Sequence, residues 1–339
     1  MRVKLGDVCE RGTSNLKLLD VSEKNGEFSV FGASGYIGSV DFYQQGYPYV
    51  AVVKDGAGIG RAMLCPGKTS VIGTMQYLLP KDNILPKYLF YVVKYMNLEK
   101  YFTGATIPHI YFKDYKNEEF NFDFWERQVE IVSVLSKCEK VIDLCKQELQ
   151  LLDKLIKARF VELFGDPVSN SYGLPEATLP DLGEFGRGVS KHRPRNDIKL
   201  LGGKYPLIQT GDVANAGLYI TSYSSTYSEL GLKQSKMWDK GTLCITIAAN
   251  IAKTAILEFD ACFPDSVVGF IANERTNNIF VHYWFSFFQA ILESQAPESA
   301  QKNINLKILS ELKVIVPEKR KQDQFASFVK LTDKSKVAV

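Results

Sequence analysis

At 339 residues the chain is too long for one ordinary core and suits two domains of typical size. Apolar residues at 45% and charged residues at 23% are ordinary globular proportions and argue against a largely disordered chain. Lys plus Arg number 41 against 38 Asp plus Glu, so a net charge of +3 excludes a uniformly basic protein, and any nucleic-acid contact must rest on charge gathered on one face.

The start, Met1-Arg2-Val3-Lys4-Leu5-Gly6-Asp7, lacks the apolar core of a signal peptide, and no run approaches the roughly 18 apolar residues needed to span a membrane. Phe28-Ser29-Val30-Phe31-Gly32 reads as a short alternating strand. Lys54-Asp55-Gly56-Ala57-Gly58-Ile59-Gly60-Arg61 superficially suggests a nucleotide-binding glycine loop. Its spacing fails G-x-G-x-x-G, no long helix follows and the lysine-serine pair of a P-loop is missing, so a tight strand connection is expected. Arg61 remains a candidate phosphate contact. The six cysteines are scattered with no C-x-x-C pair, which points to reduced buried thiols in a cytoplasmic protein. His109, His192 and His282 sit too far apart to nominate a metal, and no catalytic dyad or cofactor motif is visible.

From Glu126 to Phe164 there is no Gly or Pro. Apolar residues fall at Ile131, Leu135, Cys138, Ile142, Cys145, Leu149, Leu152 and Ile156, in steps of four and three. That is a heptad seam, expected to form a helix of about 58 Å that needs a partner helix. Arg159 interrupts the seam before Leu163 resumes it, and Gly165-Asp166-Pro167 ends the helix.

The second half repeats the first. Lys4 to Val8 resembles Thr178 to Leu182, and Phe28 to Gly32 parallels Tyr205 to Gln209. Ile59 to Leu64 parallels Ile251 to Ile256, which makes Lys253 the counterpart of Arg61. Ser70 to Gly73 matches Ser266 to Gly269, and Ile110 to Gln128 sets against Ile304 to Gln322 without a gap. Within this half, Arg187-Gly188-Val189-Ser190-Lys191-His192-Arg193-Pro194-Arg195 is the strongest basic cluster and reads as a loop. Arg187, Lys191, His192, Arg193 and Arg195 are its candidate phosphate contacts. Gly217 to Gln234 is rich in hydroxyls and aromatics suited to base edges, with Tyr223, Tyr227 and Lys233 as candidates. His282-Tyr283-Trp284-Phe285 looks like a packed apolar helix. A last helix begins near Lys321, but the chain stops at Val339, so this helix looks shorter than the first.

Globular stretch, long helix, globular stretch, long helix resembles the layout of type I restriction-modification DNA specificity subunits over essentially the whole chain. Local phrases carry the same likeness: Lys204 to Val213, Gly58 to Arg61, Gly104-Ala105-Thr106-Ile107-Pro108-His109-Ile110, and Glu126 to Ile131 closing on Leu163-Phe164-Gly165. The resemblance implies an α/β (α+β) fold with two tandem pseudo-repeated target-recognition domains separated by long coiled-coil-type helices. It implies that each domain reads half of a bipartite double-stranded DNA site. The helices would pair antiparallel, fix the gap and dock methyltransferase subunits, with restriction subunits joining the complex. It also places near DNA the turn with Thr106 and His109 and the matched turn with Gln301, Lys302 and Asn303.

The expected domains are residues 1–125 and 166–317, with a spacer helix at 126–165 and a curtailed one at 318–339. The reading is recognition without catalysis and without a cofactor. The rivals are a solitary methyltransferase or endonuclease, and a coiled-coil adaptor that binds no nucleic acid. If the helices run antiparallel, Phe325 and Val329 cover the Leu152-to-Leu163 end, leaving Ile131, Leu135, Cys138 and Ile142 without a partner and inviting self-association.

Overall fold

The computed structural model describes residues 1–22, 26–104, 108–295 and 304–338. The chain divides into two compact units, Met1–Asp143 and Leu144–Val339, and the division falls inside one helix. No helix among the described residues is long and apolar enough to cross a membrane.

Among the described residues, the first unit holds a four-stranded sheet ordered Cys9–Thr13, Met75–Pro80, Tyr49–Val53, Ala62–Cys65. A smaller sheet is ordered Gly35–Val40, Phe28–Gly32, Ser70–Val71, the last pair parallel. Tyr49-Val50-Ala51-Val52-Val53 is buried at every position, as a central strand of β-branched residues should be. Helix α1 (Pro86–Met96) starts with Pro in its first turn, where no amide hydrogen is needed, and turns Leu89 and Val93 onto the sheet.

Among the described residues, strand order in the second unit is the same with one strand added to each sheet. Gly183–Arg187, Val267–Ala272, Leu243–Thr246, Thr254–Leu257 and Tyr219–Ile220 form the main sheet. Ser225–Tyr227, Leu201–Leu207, Ala261–Cys262 and Met237–Trp238 form the smaller one. The repeat holds at the level of single residues. Val3 pairs with Phe120 as Ala177 pairs with Val314. Val53 N–H donates to the Arg61 carbonyl as Thr246 N–H donates to that of Lys253, and Ile110 N–H reaches the Lys54 carbonyl as Ile304 N–H reaches that of Ile247. One expected match fails. Ser70–Val71 lies in the small sheet, whereas Val267 opens a strand of the main sheet whose counterpart begins at Met75.

Helix α2 (Trp125–Phe164) runs 40 residues unbroken, about 60 Å at 1.5 Å per residue, and Gly165 ends it at φ +75°. Helices α3 (Asn278–Gln295) and α4 (Lys319–Ala338) pack with the C-terminal end of α2 in the second unit. Phe160 lies 5.3 Å, ring centre to ring centre, from both Phe280 and Phe325, and Phe164 lies 5.8 Å from Phe325. Further along α4, Lys336 Nζ meets Asp153 Oδ1 at 2.5 Å, so the contact moves backward on α2 as it moves forward on α4. The two helices therefore run antiparallel.

The seam differs from its heptad reading in two ways. Ile156, Phe160 and Phe164 form the buried stripe, so the steps near the end are all four and Arg159 is not an interruption. At the other end Ile131 is not without a partner, because it packs with Val132 against the first unit's core. Leu135 is 38% exposed and lines a hollow with Tyr88, Tyr91 and Tyr95, while Ile142 is 52% exposed. Cys145, Leu149 and Leu152 are half-buried and Cys138 is exposed, against the expectation of buried thiols throughout. Phe325 and Val329 are fully buried.

Candidate nucleic-acid interface

In the second unit the basic segment leaves the sheet at Arg187 and is fastened from three directions. Gly188 N–H donates to the Val267 carbonyl, and a Cβ at Gly188 would stand 2.3 Å from the Phe263 carbonyl oxygen, so only glycine allows this close passage. Gln234 Oε1 accepts from the amides of Lys191 at 2.7 Å and His192 at 3.0 Å, and Ser235 Oγ donates to the Val189 carbonyl. His192 Nε2 sits 3.1 Å from Asp197 Oδ2, and the Lys199 amide together with that ring holds the Asp197 carboxyl below its usual range.

Arg193 donates through Nη1 to the carbonyls of Ser190 at 2.6 Å and His192 at 2.8 Å. Its Nη2 lies 3.4 Å from Asp265 Oδ2, while Arg195 Nη2 lies 2.5 Å from Asp265 Oδ1. The second contact has the distance of an ion pair without the angle of a hydrogen bond. Arg187, Lys191, His192, Arg193 and Arg195 are all exposed. Beside them is a cavity of about 360 Å³ whose wall includes Ser190, Arg195, Asn196, Gln209, Thr210 and Ala249.

The remaining candidates in this unit separate. Tyr223 is exposed and edges onto Phe259, and Lys233 is exposed. Tyr227, expected on the recognition surface, is 2% exposed in the core of the small sheet, because Ser225–Tyr227 is a strand and its alternate side chains face inward. Lys253 is half-buried at the turn between Leu243–Thr246 and Thr254–Leu257. Gln301, Lys302 and Asn303 lie outside the described residues.

In the first unit the matched turn carries Arg61, exposed, whose Nη1 donates to the Ala33 carbonyl. Asp55 Oδ1 is 2.7 Å from His109 Nδ1, and Lys54 pairs with the other carboxylate oxygen. Burial raises the Asp55 carboxyl, but Lys54 and His109 outweigh it and hold the group below its ordinary value. Gly56 N–H donates to the Pro108 carbonyl, which joins the glycine-rich turn to the turn before Ile110. Thr106 lies outside the described residues.

Sequence reasoning missed Asp265, and it named Gln234 and Ser190 only as members of candidate segments, without their roles. Those roles carry no local signal, since they arise from loops brought together from distant parts of the chain.

Two matched α/β units, each presenting a charged loop edge beside its main sheet, define a duplicated recognition protein. The chain belongs to the type I restriction modification DNA specificity domain family, whose model matches residues 1–154 and again residues 176–338. Among curated proteins it is 22% identical over 292 residues to the putative type I restriction enzyme MjaX specificity subunit of Methanocaldococcus jannaschii, covering 81% of this chain and 68% of that one. It is 26% identical over 179 residues to the type I restriction enzyme MjaIX specificity subunit of the same organism, covering 47% and 40%. The crystal structure of the type I restriction-modification S subunit from M. genitalium superposes with a TM-score of 0.64 at 17% identity, covering all of this chain and 90% of that one, a likeness of fold.

Proposed function

We propose that the chain is the DNA-reading subunit of a type I restriction-modification complex and that each unit reads one half of a split site. Residues 1–125 and 166–317 would be the reading domains, and residues 126–165 and 318–339 the helices that set spacing and dock methyltransferase subunits. The observation that carries this reading is the repeat itself: two copies of the family's domain that share strand order in both sheets and the pairing of first strand with last. Phosphate contacts from Arg187, Lys191, Arg193, Arg195, Arg61 and Lys253 would place each domain, and a few base-edge contacts would discriminate, each good pair worth about 1–3 kcal/mol. Methyl transfer and ATP-dependent cleavage would belong to partner subunits. Methylation-site sequencing of DNA from cells carrying the complete system should give a two-part motif with a fixed gap. A continuous motif, or methylation by this chain alone, would defeat the proposal.

The exposed apolar face of α2 supports a protein contact in addition. Val134, Val141, Leu144, Leu151 and Leu155 share one stripe of the helix and are each at least half exposed. Such a face on a helix is a docking surface for another helix, and in the isolated chain it would drive self-association.

A further inference from the structure

We infer that the cavity beside the basic loop of the second unit is a seat for one phosphodiester of the DNA, and that Asp265 holds its guanidinium groups in the phosphate's place until DNA arrives. The inference rests on the DNA-reading function proposed above and deepens it.

The hydroxyl of Ser190 gives the first reason. Ser190 lines the cavity, is 6% exposed, and its Oγ has no hydrogen-bond partner among the described residues. A buried hydroxyl left unpaired is costly, so a group that completes its bonding is stabilised there. The charge balance gives the second. Arg193 and Arg195 converge on a single carboxylate, leaving one positive charge in excess, so the missing group is an anion. Asp265 is also an imperfect partner: one of its contacts is long at 3.4 Å, and the other lacks hydrogen-bond alignment. A phosphodiester offers more acceptor directions and suits the forked donors of arginine better. The third reason is prior shaping. Gln234 pins the amides of Lys191 and His192, so the loop's backbone is already set and little freedom remains to be lost on binding. Gln234 and Asp265 are thus positioning residues, as is Arg193, whose Nη1 braces the Ser190 and His192 carbonyls, while Ser190 and Arg195, which line the cavity, touch the ligand.

The same chemistry would hold free phosphate, so the test has both arms. The full-length chain is titrated with a labelled mixed-sequence duplex of about three turns over a range of salt, and separately with inorganic phosphate. Asp265→Asn should bind the duplex about three- to tenfold more tightly at low salt, with the log–log salt slope steeper by about one. Arg195→Ala should weaken binding and make the slope shallower by about one. Ser190→Ala should weaken binding about three- to tenfold with the slope unchanged and no fall in thermal midpoint, since a neutral donor is lost and an unpaired hydroxyl removed. Wild-type binding that depends on salt, together with Asp265→Asn and Ser190→Ala variants that bind like it, overturns the phosphate seat alone. Absence of salt-dependent binding in the wild type overturns the DNA-reading function and the seat with it. Inorganic phosphate raising the thermal midpoint as much as the duplex does would reassign the seat to free phosphate and overturn the DNA assignment.

Discussion

Gly56 and Ala249 occupy the same place in the two units, each two residues beyond the carbonyl that receives Ile110 or Ile304. Both have positive φ, +86° and +61°, a region that costs an L-residue about 1–2 kcal/mol and glycine almost nothing. Ala249 is exposed, so its methyl contributes little packing in return. Ala249→Gly should therefore raise stability by up to about 1 kcal/mol after the entropy glycine loses, read as a higher midpoint in denaturant. A lower midpoint would show that the methyl group packs after all. His282 gives a dependence on pH. Its ring nitrogen bonds Thr254 Oγ1 at 2.9 Å, and burial followed by the charge of Lys336 lowers it from its ordinary 6.5 to about 4. The unfolded chain then binds more protons between those values, so this contribution is complete above 6.5 and is lost as pH falls through the window. The slope is at most about 1.4 kcal/mol per pH unit. Thermal melts across that range should lose the slope in His282→Gln, and an unchanged profile would count against it. The basic loop was legible from residues alone because its arginines and lysines are adjacent in sequence. Tyr227 was misjudged because hydroxyl-rich composition does not reveal which way a strand's alternate side chains face.

Among elements, α2 was the most legible, since 39 consecutive residues without Gly or Pro leave the backbone no other regular choice. What the heptad pattern obscured was the end of the stripe, where Phe160 replaces Arg159 because partners α3 and α4 demand steps of four. The gapless match of Ile110–Gln128 with Ile304–Gln322 also had a physical basis. Gln128 and Gln322 are fully buried near the starts of α2 and α4. Gln128 Oε1 accepts from the Leu85 amide, and Nε2 donates to the carbonyls of Asn83 and Asp123. Gln322 Oε1 accepts from Thr276 Oγ1, and Nε2 donates to the carbonyls of Arg275 and Pro317. Replacing either by Ala leaves buried backbone groups unpaired, and each change should cost about 2–4 kcal/mol in urea unfolding. Losses within experimental error would mean water replaces the amide. The shorter match at Ser70–Gly73 misled because a four-residue phrase fits either sheet.

For the whole molecule, a net charge of +3 describes the chain poorly, because it hides a local excess: Arg187, Lys191, Arg193 and Arg195 fall in one loop with no carboxylate between them in sequence. Light scattering at micromolar concentration should show self-association of the isolated chain, reversed by Val141→Lys or Leu151→Lys without loss of helicity. A strictly monomeric wild type would leave the exposed face to other subunits. Each unit's first strand lies directly against its last, Arg2–Lys4 on Glu119–Asn121 and Glu176–Ala177 on Val314–Ile315. The polypeptide thus enters and leaves each recognition head through a single hinge-like doorway. A head bounded in this way can be exchanged for another by cutting two threads that lie side by side, with the rest of the chain left as it was. New target preferences then become available by cassette replacement rather than by gradual repair of one surface.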